Sequence, residues 1–573
     1  MNAPVPAAGG AVEFPRQYVA PDADFGTWAT AEPYYRELVE RKVDSLAALE
    51  RWLADGSELE ACFDEEGTRR YTAMTCQTDD PARQERYLYF IEHVQPAAEP
   101  WRDRLRRKLV ALADDIALPA RRYEVLLRSM RNAVELYREE NIPLLVEDSK
   151  LRTEYQALTA AMTCQYDGRE QTLQQMARYL EETDRRVREE TWHLAADRFL
   201  RDAPALDGLY AKMVALRHRI AQNAGCRDFR EYSFRAMERF DYTPADCLAF
   251  HEAIADVCVP AVLRLAAERK RKLGLPALRP WDTAVDPDGE PPLRPFETDE
   301  ELAAKCSRIF HQVGREFGRI FDTLRERGQL DLGSRKGKAP GGYQVNYAEQ
   351  RLPFIFMNAV GTESDVRTLL HEGGHAFHSW ACREEPLLAY RSAPLEFAEV
   401  ASMGMECLAL PFTHEFFGAA QPRATRHFFE KIVAFFPFMA TIDAFQHYVY
   451  THVDAGLEGW KDHWQQLTRR FASELDLTGL ERHDRQSWQK KLHIYEVPFY
   501  YVEYGIAQLG ALQVWRNSRA AYEDAVAQYR HALALGGSRP LPELFQTAGC
   551  RFDFSPATLR PLIGAVMEKI GGR

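Results

Sequence analysis

The stretch Thr362-Glu363-Ser364-Asp365-Val366-Arg367-Thr368-Leu369-Leu370-His371-Glu372-Gly373-Gly374-His375-Ala376-Phe377-His378-Ser379-Trp380-Ala381 decides how the rest of the chain is read. Thr362 followed three residues later by an acid is a helix N-cap, and Val366, Leu369, Leu370, Phe377 and Trp380 recur at helical spacing. A helix is therefore expected from about 363 to 382. It carries His371-Glu372-Gly373-Gly374-His375, an HExxH pattern. Residues i and i+4 are neighbours on one helix face, so both imidazoles can reach one metal ion without bending the backbone. Glu372, about 100° round the helix, is offset from that face and suited to act as general base on a metal-bound water. Each of the two consecutive glycines costs about 1 kcal/mol against alanine inside a helix, which calls for close approach by another backbone or a substrate. His378, at i+7 from His371, lies on nearly the same face and is a candidate to support the ligands from behind.

A catalytic zinc keeps three protein ligands and one open position, so a third ligand is required. Ala381 stands where a metzincin would carry a third histidine, which excludes that class. The remaining candidates are Glu384, Glu385, Glu396, Glu399 and Glu406. Glu384 and Glu385 sit beside Pro386 at the helix exit and read as capping or exposed residues. The stretch Glu396 to Leu410 is helical by pattern, and Glu399 and Glu406, seven apart, share a face. Spacing alone does not separate Glu396 from Glu399.

Immediately upstream, Tyr343 to Tyr347 alternates in strand fashion after the Gly341-Gly342 turn. Pro353 to Asn358 is a short apolar run opening on proline, as an edge strand can. Leu275 to Phe296 holds six prolines and no helical period, so it reads as an ordered connector, with Thr298 and Glu301 capping the next helix. Elsewhere the apolar period is helical: Tyr35 to Leu53, Arg102 to Leu112, Tyr123 to Tyr137, Tyr155 to Met162, Leu173 to Trp192, and Tyr522 to Leu535 before Gly536-Gly537. A mainly α-helical protein with one small sheet is predicted. The expected division is an N-terminal arm over 1–30, a helical region over 31–200 and a catalytic region over 201–573.

The 573 residues are 46% apolar, 28% charged and 12% aromatic, an ordinary folded composition. A net charge of −12 disfavours nucleic acid and anionic membrane as partners. The most apolar window, Ile432 to Ile442, is too short to span a bilayer, is interrupted by Pro437, and reads as a core helix. Ten cysteines are scattered without a CxxC pair, and the N-terminus lacks a signal-peptide pattern, so a cytoplasmic, reduced protein is expected. Gly333 to Lys338 lacks phosphate-loop spacing, and no GxSxG elbow occurs.

The segments His371 to His378 and Glu396-Phe397-Ala398-Glu399-Val400-Ala401-Ser402-Met403-Gly404-Met405-Glu406 together resemble the M3 family of metallopeptidases, in its oligoendopeptidase F branch. Lys336 to Tyr343, Pro353 to Asn358 and His493 to Tyr504 also match, so the resemblance covers roughly residues 200–573. The family usually has a bulky apolar residue in place of Gly373. The resemblance implies two mainly helical lobes around a deep substrate channel, with a small β-sheet next to the HExxH helix. It assigns Glu399 as third ligand to one Zn2+ beside His371 and His375, and Glu406 as the residue that orients a ligand histidine. By the same resemblance His493, Tyr501 and Tyr504 contact substrate and oxyanion, with Tyr500 a rival within one residue of register.

The function expected is zinc-dependent hydrolysis of internal bonds in short, unstructured peptides, with Glu372 as general base on a zinc-bound water. Phe354 and Phe356, on the exposed strand edge, are expected to pair with the extended substrate, and Gly341-Gly342 to flex over it. A zinc carboxypeptidase on a similar helical fold and a non-catalytic peptide-binding homologue are the alternatives. Monomer and homodimer are equally open.

Overall fold

The computed structural model describes residues 13–571; residues 1–12 of the arm expected over 1–30 lie outside them. The described chain is mainly helical, with five short strands: β1 (Thr163–Tyr166), β2 (Arg169–Thr172), β3 (Leu330–Gly333), β4 (Tyr343–Tyr347) and β5 (Leu352–Ala359). It divides into two compact units. One holds Met1–Tyr137, Leu293–Thr425 and Ala507–Phe552; the other holds Arg138–Pro292, Arg426–Ile506 and Asp553–Arg573. No described helix is long and apolar enough to cross a membrane.

In the first unit the HExxH helix runs Glu363–Ala381. Thr362 Oγ1 accepts from Asp365 N, and Asp365 Oδ2 accepts from Thr362 N at 2.8 Å, so the sequence's cap closes in both directions. The helix's apolar stripe is buried, with the Phe377 ring 4.8 Å from Phe310 and 4.9 Å from Phe317. Against it packs the Leu395–Ala409 helix, almost wholly buried. The glycine pair is what admits this neighbour. A Cβ on Gly374 would stand 2.4 Å from the Ala401 carbonyl oxygen and 2.6 Å from Ser402 Cα. A Cβ on Gly373 would stand 2.5 Å from the Phe310 ring, which therefore occupies the volume a larger residue would take. Tyr529, fully buried, donates its hydroxyl to the same Ala401 carbonyl.

The sheet beside this helix corrects one expectation. Its order is β3-β5-β4, so β5, read as an edge, is the central strand. Leu330 pairs in parallel with Ile355, and Tyr343 pairs antiparallel with Phe356. Pro353 is tolerated because the β3 ladder begins only at Ile355, leaving the proline opposite β4 alone. Phe354 and Phe356 are accordingly core residues, and Phe356 stacks on Tyr343 at 4.6 Å. The Gly333-to-Lys338 segment has a structural use. The Lys338 ammonium is buried against the sheet, bonding Asp331 Oδ1 at 2.8 Å and the Gly333 carbonyl at 2.8 Å, with the Phe356 ring 4.4 Å away.

In the second unit, β1 and β2 form a hairpin that periodicity alone did not reveal. Its turn is Asp167-Gly168 with φ of 53° and 69°, the Asp-Gly signal of a tight hairpin turn. The helix expected over Leu173 to Trp192 is interrupted after Ala177, and a new one, Arg185–Asn223, starts where Asp184 caps the Arg186 amide. The proline-rich connector contains only a short turn at Pro280–Asp282, where fully buried Asp282 receives both Arg185 and Arg188. The Gln421–Thr451 helix continues through Pro437.

Because the Gly374 contact is with backbone, Gly374→Ala is expected to destabilise the protein by about 1–3 kcal/mol, a lowered Tm in calorimetry. An unchanged Tm would show that the two helices have freedom to separate.

Candidate metal centre

His371 and His375 project from one face of the HExxH helix, half-buried, with ring centroids 4.9 Å apart. Glu399, from the middle of the Leu395–Ala409 helix, reaches both: its Oε2 is 3.3 Å from His371 Nε2 and 3.7 Å from His375 Nε2. One ligand-type atom from each of the three lies within 4.8 Å of the others. Glu396, which spacing left level with Glu399, is buried but no member of this group. Ser402 Oγ donates to Glu399 Oε2 at 3.0 Å, which fixes the carboxylate's orientation.

His371 turns its other nitrogen away from this point, and Nδ1 lies 2.7 Å from Glu406 Oε1. Nδ1 keeps its proton toward Glu406, so once Nε2 gives up its own proton its lone pair faces Glu399 and His375, as metal ligation requires. Glu406 is in turn held by Arg367, whose Nε donates to Oε2. Arg367 was not singled out in the sequence, although it lies one helical turn before His371 and therefore on the same face. The chain Arg367, Glu406, His371 alternates in charge through a buried region, so each member compensates the next.

Charge effects follow the same geometry. Burial pushes the Glu399 carboxyl up, but the hydrogen bonds from His371 and Ser402 and the charge of His371 outweigh it and hold it at about 2. Burial pulls His371 down, yet Glu399 and Glu406 keep it well above the ordinary imidazole value. His375, for which burial prevails, falls to about 4 and is neutral. Glu372, 7% exposed, is raised to about 7 chiefly by burial, with His371 opposing and Glu399 and Glu406 adding to it. Two imidazole nitrogens and a carboxylate converging on one point, with the far nitrogen of His371 already bonded to Glu406, fit a zinc ion with an open fourth position.

His378 does something else. Its Nδ1 donates to the Leu533 carbonyl at 3.1 Å and its Nε2 accepts from the Ala393 amide at 3.0 Å, so both ring nitrogens are used in tying backbone segments together. Gly341, at φ 95°, lies in a turn that Asn358 holds through the Ala339 and Gly341 carbonyls, at 2.7 and 2.8 Å. In the other unit His493, Tyr500, Tyr501 and Tyr504 gather around a bend at Phe499, whose φ of 70° is strained for a non-glycine. The His493 ring is 4.5 Å from Tyr501, and Tyr504 is 5.7 Å from Tyr501 and 5.1 Å from Tyr500. Arg239 pairs with Glu503 at 2.7 Å and supports the bend through the Phe499 carbonyl.

The family model for Peptidase family M3 matches residues 178–562 of this sequence. The chain belongs to peptidase family M3. Over 305 residues it is 25% identical to the oligoendopeptidase F homolog of Mycoplasma pneumoniae, covering 49% of this chain and 48% of that protein. Over 150 residues it is 29% identical to oligopeptidase PepF of Bacillus subtilis, covering 26% of this chain and 22% of that protein. These matches span about half the length or less of the curated relatives. Among solved structures, PZ peptidase A with inhibitor 2 superposes with a TM-score of 0.88 at 25% identity, over 97% of this chain and 99% of that one. The mainly helical M3 fold expected from the sequence is thus the fold observed.

Replacing Glu406 by Gln removes the charge that holds the His371 Nδ1 proton and leaves Arg367 without its counter-ion. We expect Glu406→Gln to bind a divalent ion about 10–100-fold more weakly in chelator competition, with its helical circular dichroism retained. Unchanged affinity would remove Glu406 from the support of His371.

Proposed function

We propose that this M3 family member is a zinc metallopeptidase that cleaves internal bonds of short, unstructured peptides. The observation that carries the reading is the convergence of His371, His375 and Glu399 with Glu372 on the same helix and buried. The Nε2 atoms of the two histidines and the Glu399 carboxylate would hold the ion, which when bound supplies Lewis acidity to the scissile carbonyl and makes a water acidic near neutral pH. Glu372 takes the proton of the attacking water onto its carboxylate and returns it to the departing amine. Burial raises its proton affinity toward the range in which both transfers run at neutral pH, and the dication opposes that rise. Glu406 and Arg367 keep His371 in one tautomer, and Ser402 keeps Glu399 in one rotamer.

The extended substrate pairs with β4, one of the sheet's two outer strands, because both edges of β5 are already paired. This transfers the role first given to Phe354 and Phe356 to the backbone of Tyr343–Tyr347, beside the Gly341-Gly342 turn. His493, Tyr501 and Tyr504 take the oxyanion role by family resemblance, with Tyr500 packed against Tyr504. A cytoplasmic setting is part of the proposal and rests on ten cysteines scattered through the sequence without a CxxC pair.

On an internally quenched peptide, Glu372→Gln is expected to lower kcat about 10²–10⁴-fold with metal content unchanged; equal rates would sink the proposed base, and no cleavage by the metal-loaded parent would leave a binding protein. Early products read by mass spectrometry are expected to be internal fragments, and a ladder of single-residue losses from the C-terminus would establish the carboxypeptidase instead. Of Tyr501→Phe and Tyr504→Phe, the one that removes the oxyanion donor is expected to lose about 10²–10³ in kcat at constant KM. If neither variant loses rate, the phenols are packing groups.

A further inference from the structure

The second unit contains another convergence of metal-binding side chains. Cys247 and His251 lie one turn apart on the Pro244–Lys272 helix, and Asp443 and His447 lie one turn apart on the Gln421–Thr451 helix, so each pair presents one face. All four are core residues: Cys247 and Asp443 are 0% exposed, His251 2% and His447 3%. Cys247 Sγ, a carboxylate oxygen of Asp443 and a ring nitrogen of His447 lie within 4.8 Å of one another. Donors around zinc at 2.0–2.3 Å stand roughly 3.3–3.8 Å apart, so rotamer-scale movements would close this set on an ion.

A hydrogen-bond network does not account for the group. His251 Nε2 lies 2.8 Å from Asp443 Oδ2, and His447 Nε2 lies 3.2 Å from the same oxygen. Asp443 Oδ1 nevertheless has no hydrogen-bond partner among the described residues. Buried polar atoms are almost always satisfied, and a fully buried carboxylate oxygen with no donor, beside a thiol and an imidazole, is an arrangement a cation completes. Arg230 Nη1, 3.5 Å from His447 Nδ1, is the nearby cation, and it has Asp228 4.0 Å away as an alternative partner.

We propose that Cys247, Asp443 and His447 form a second binding site for a divalent transition-metal ion of the zinc class, with His251 as the positioning residue that orients the Asp443 carboxylate. Thiolate, imidazole and carboxylate together select zinc-like ions over magnesium or calcium. Binding releases the Cys247 thiol proton to solvent, and thiolate plus carboxylate then balance the dication, so the filled site is neutral where the empty one carries the Asp443 charge. The ion would join the two helices that supply its ligands.

The test uses the full chain reconstituted with Co2+. The His371, His375 and Glu399 group contains no sulfur, so a thiolate-to-cobalt charge-transfer band in the near ultraviolet reports the second site alone. We expect that band in the parent, its loss in Cys247→Ser, and one fewer metal equivalent in that variant while peptide cleavage persists. Glu399→Ala is expected to keep the band, which separates this site from the catalytic reading. Absence of the band in the parent, or its persistence in Cys247→Ser, would overturn the proposal. Should Cys247→Ser fail to fold, His447→Gln is read in the same way, and an unaltered band there has the same force.

Discussion

The close passage of two helix backbones at Gly374 and Ala401 is the constraint on which the metal centre depends. Two imidazoles at i and i+4 define a point just off one helix, but no residue of that helix can supply the third ligand to it. The carboxylate must come from a neighbour, and its reach is short. With Gly374 facing the Ala401 carbonyl and the Ser402 Cα, the neighbouring helix lies near enough for Glu399 to meet both rings. The glycines, unfavourable in an isolated helix, are therefore explained by packing and only indirectly by chemistry.

Around that contact the charges are arranged in alternation. Arg367, Glu406, His371 and Glu399 follow one another in hydrogen-bonded order, with Ser402 closing the end. In a buried setting a lone charge is expensive, and removing one member leaves the next uncompensated. The same electrostatics raise the proton affinity of His371 and make its pocket attractive to a dication, because both carboxylates act on whatever positive charge occupies it.

Burial of polar groups recurs wherever this fold has to hold a backbone segment in place. Lys338 fastens the loop before β4 to the sheet, His378 ties two backbone segments behind the HExxH helix, and Arg217 joins Asp148 and Tyr450 in the second unit at 2.8 Å each. These side chains have their hydrogen bonds met. At Asp443, by contrast, one buried carboxylate oxygen has no hydrogen-bond partner among the described residues.

By itself the sequence determined what depends on neighbours along the chain. The Thr362 cap, the i and i+4 histidines, the proline-rich connector and the amphipathic helices other than Leu173 to Trp192 are set by backbone chemistry within a turn or two, and they are found where the residues put them. The Asp167-Gly168 hairpin belonged to the same class, its signal present but outweighed by the helical period on either side. Tertiary structure alone decided what depends on which faces meet: Glu399 rather than Glu396 lying beside His371 and His375, β5 at the centre of its sheet, and Arg367 behind Glu406. Periodicity says that a face is apolar or polar, but the partner of that face is chosen by packing between segments far apart in the chain.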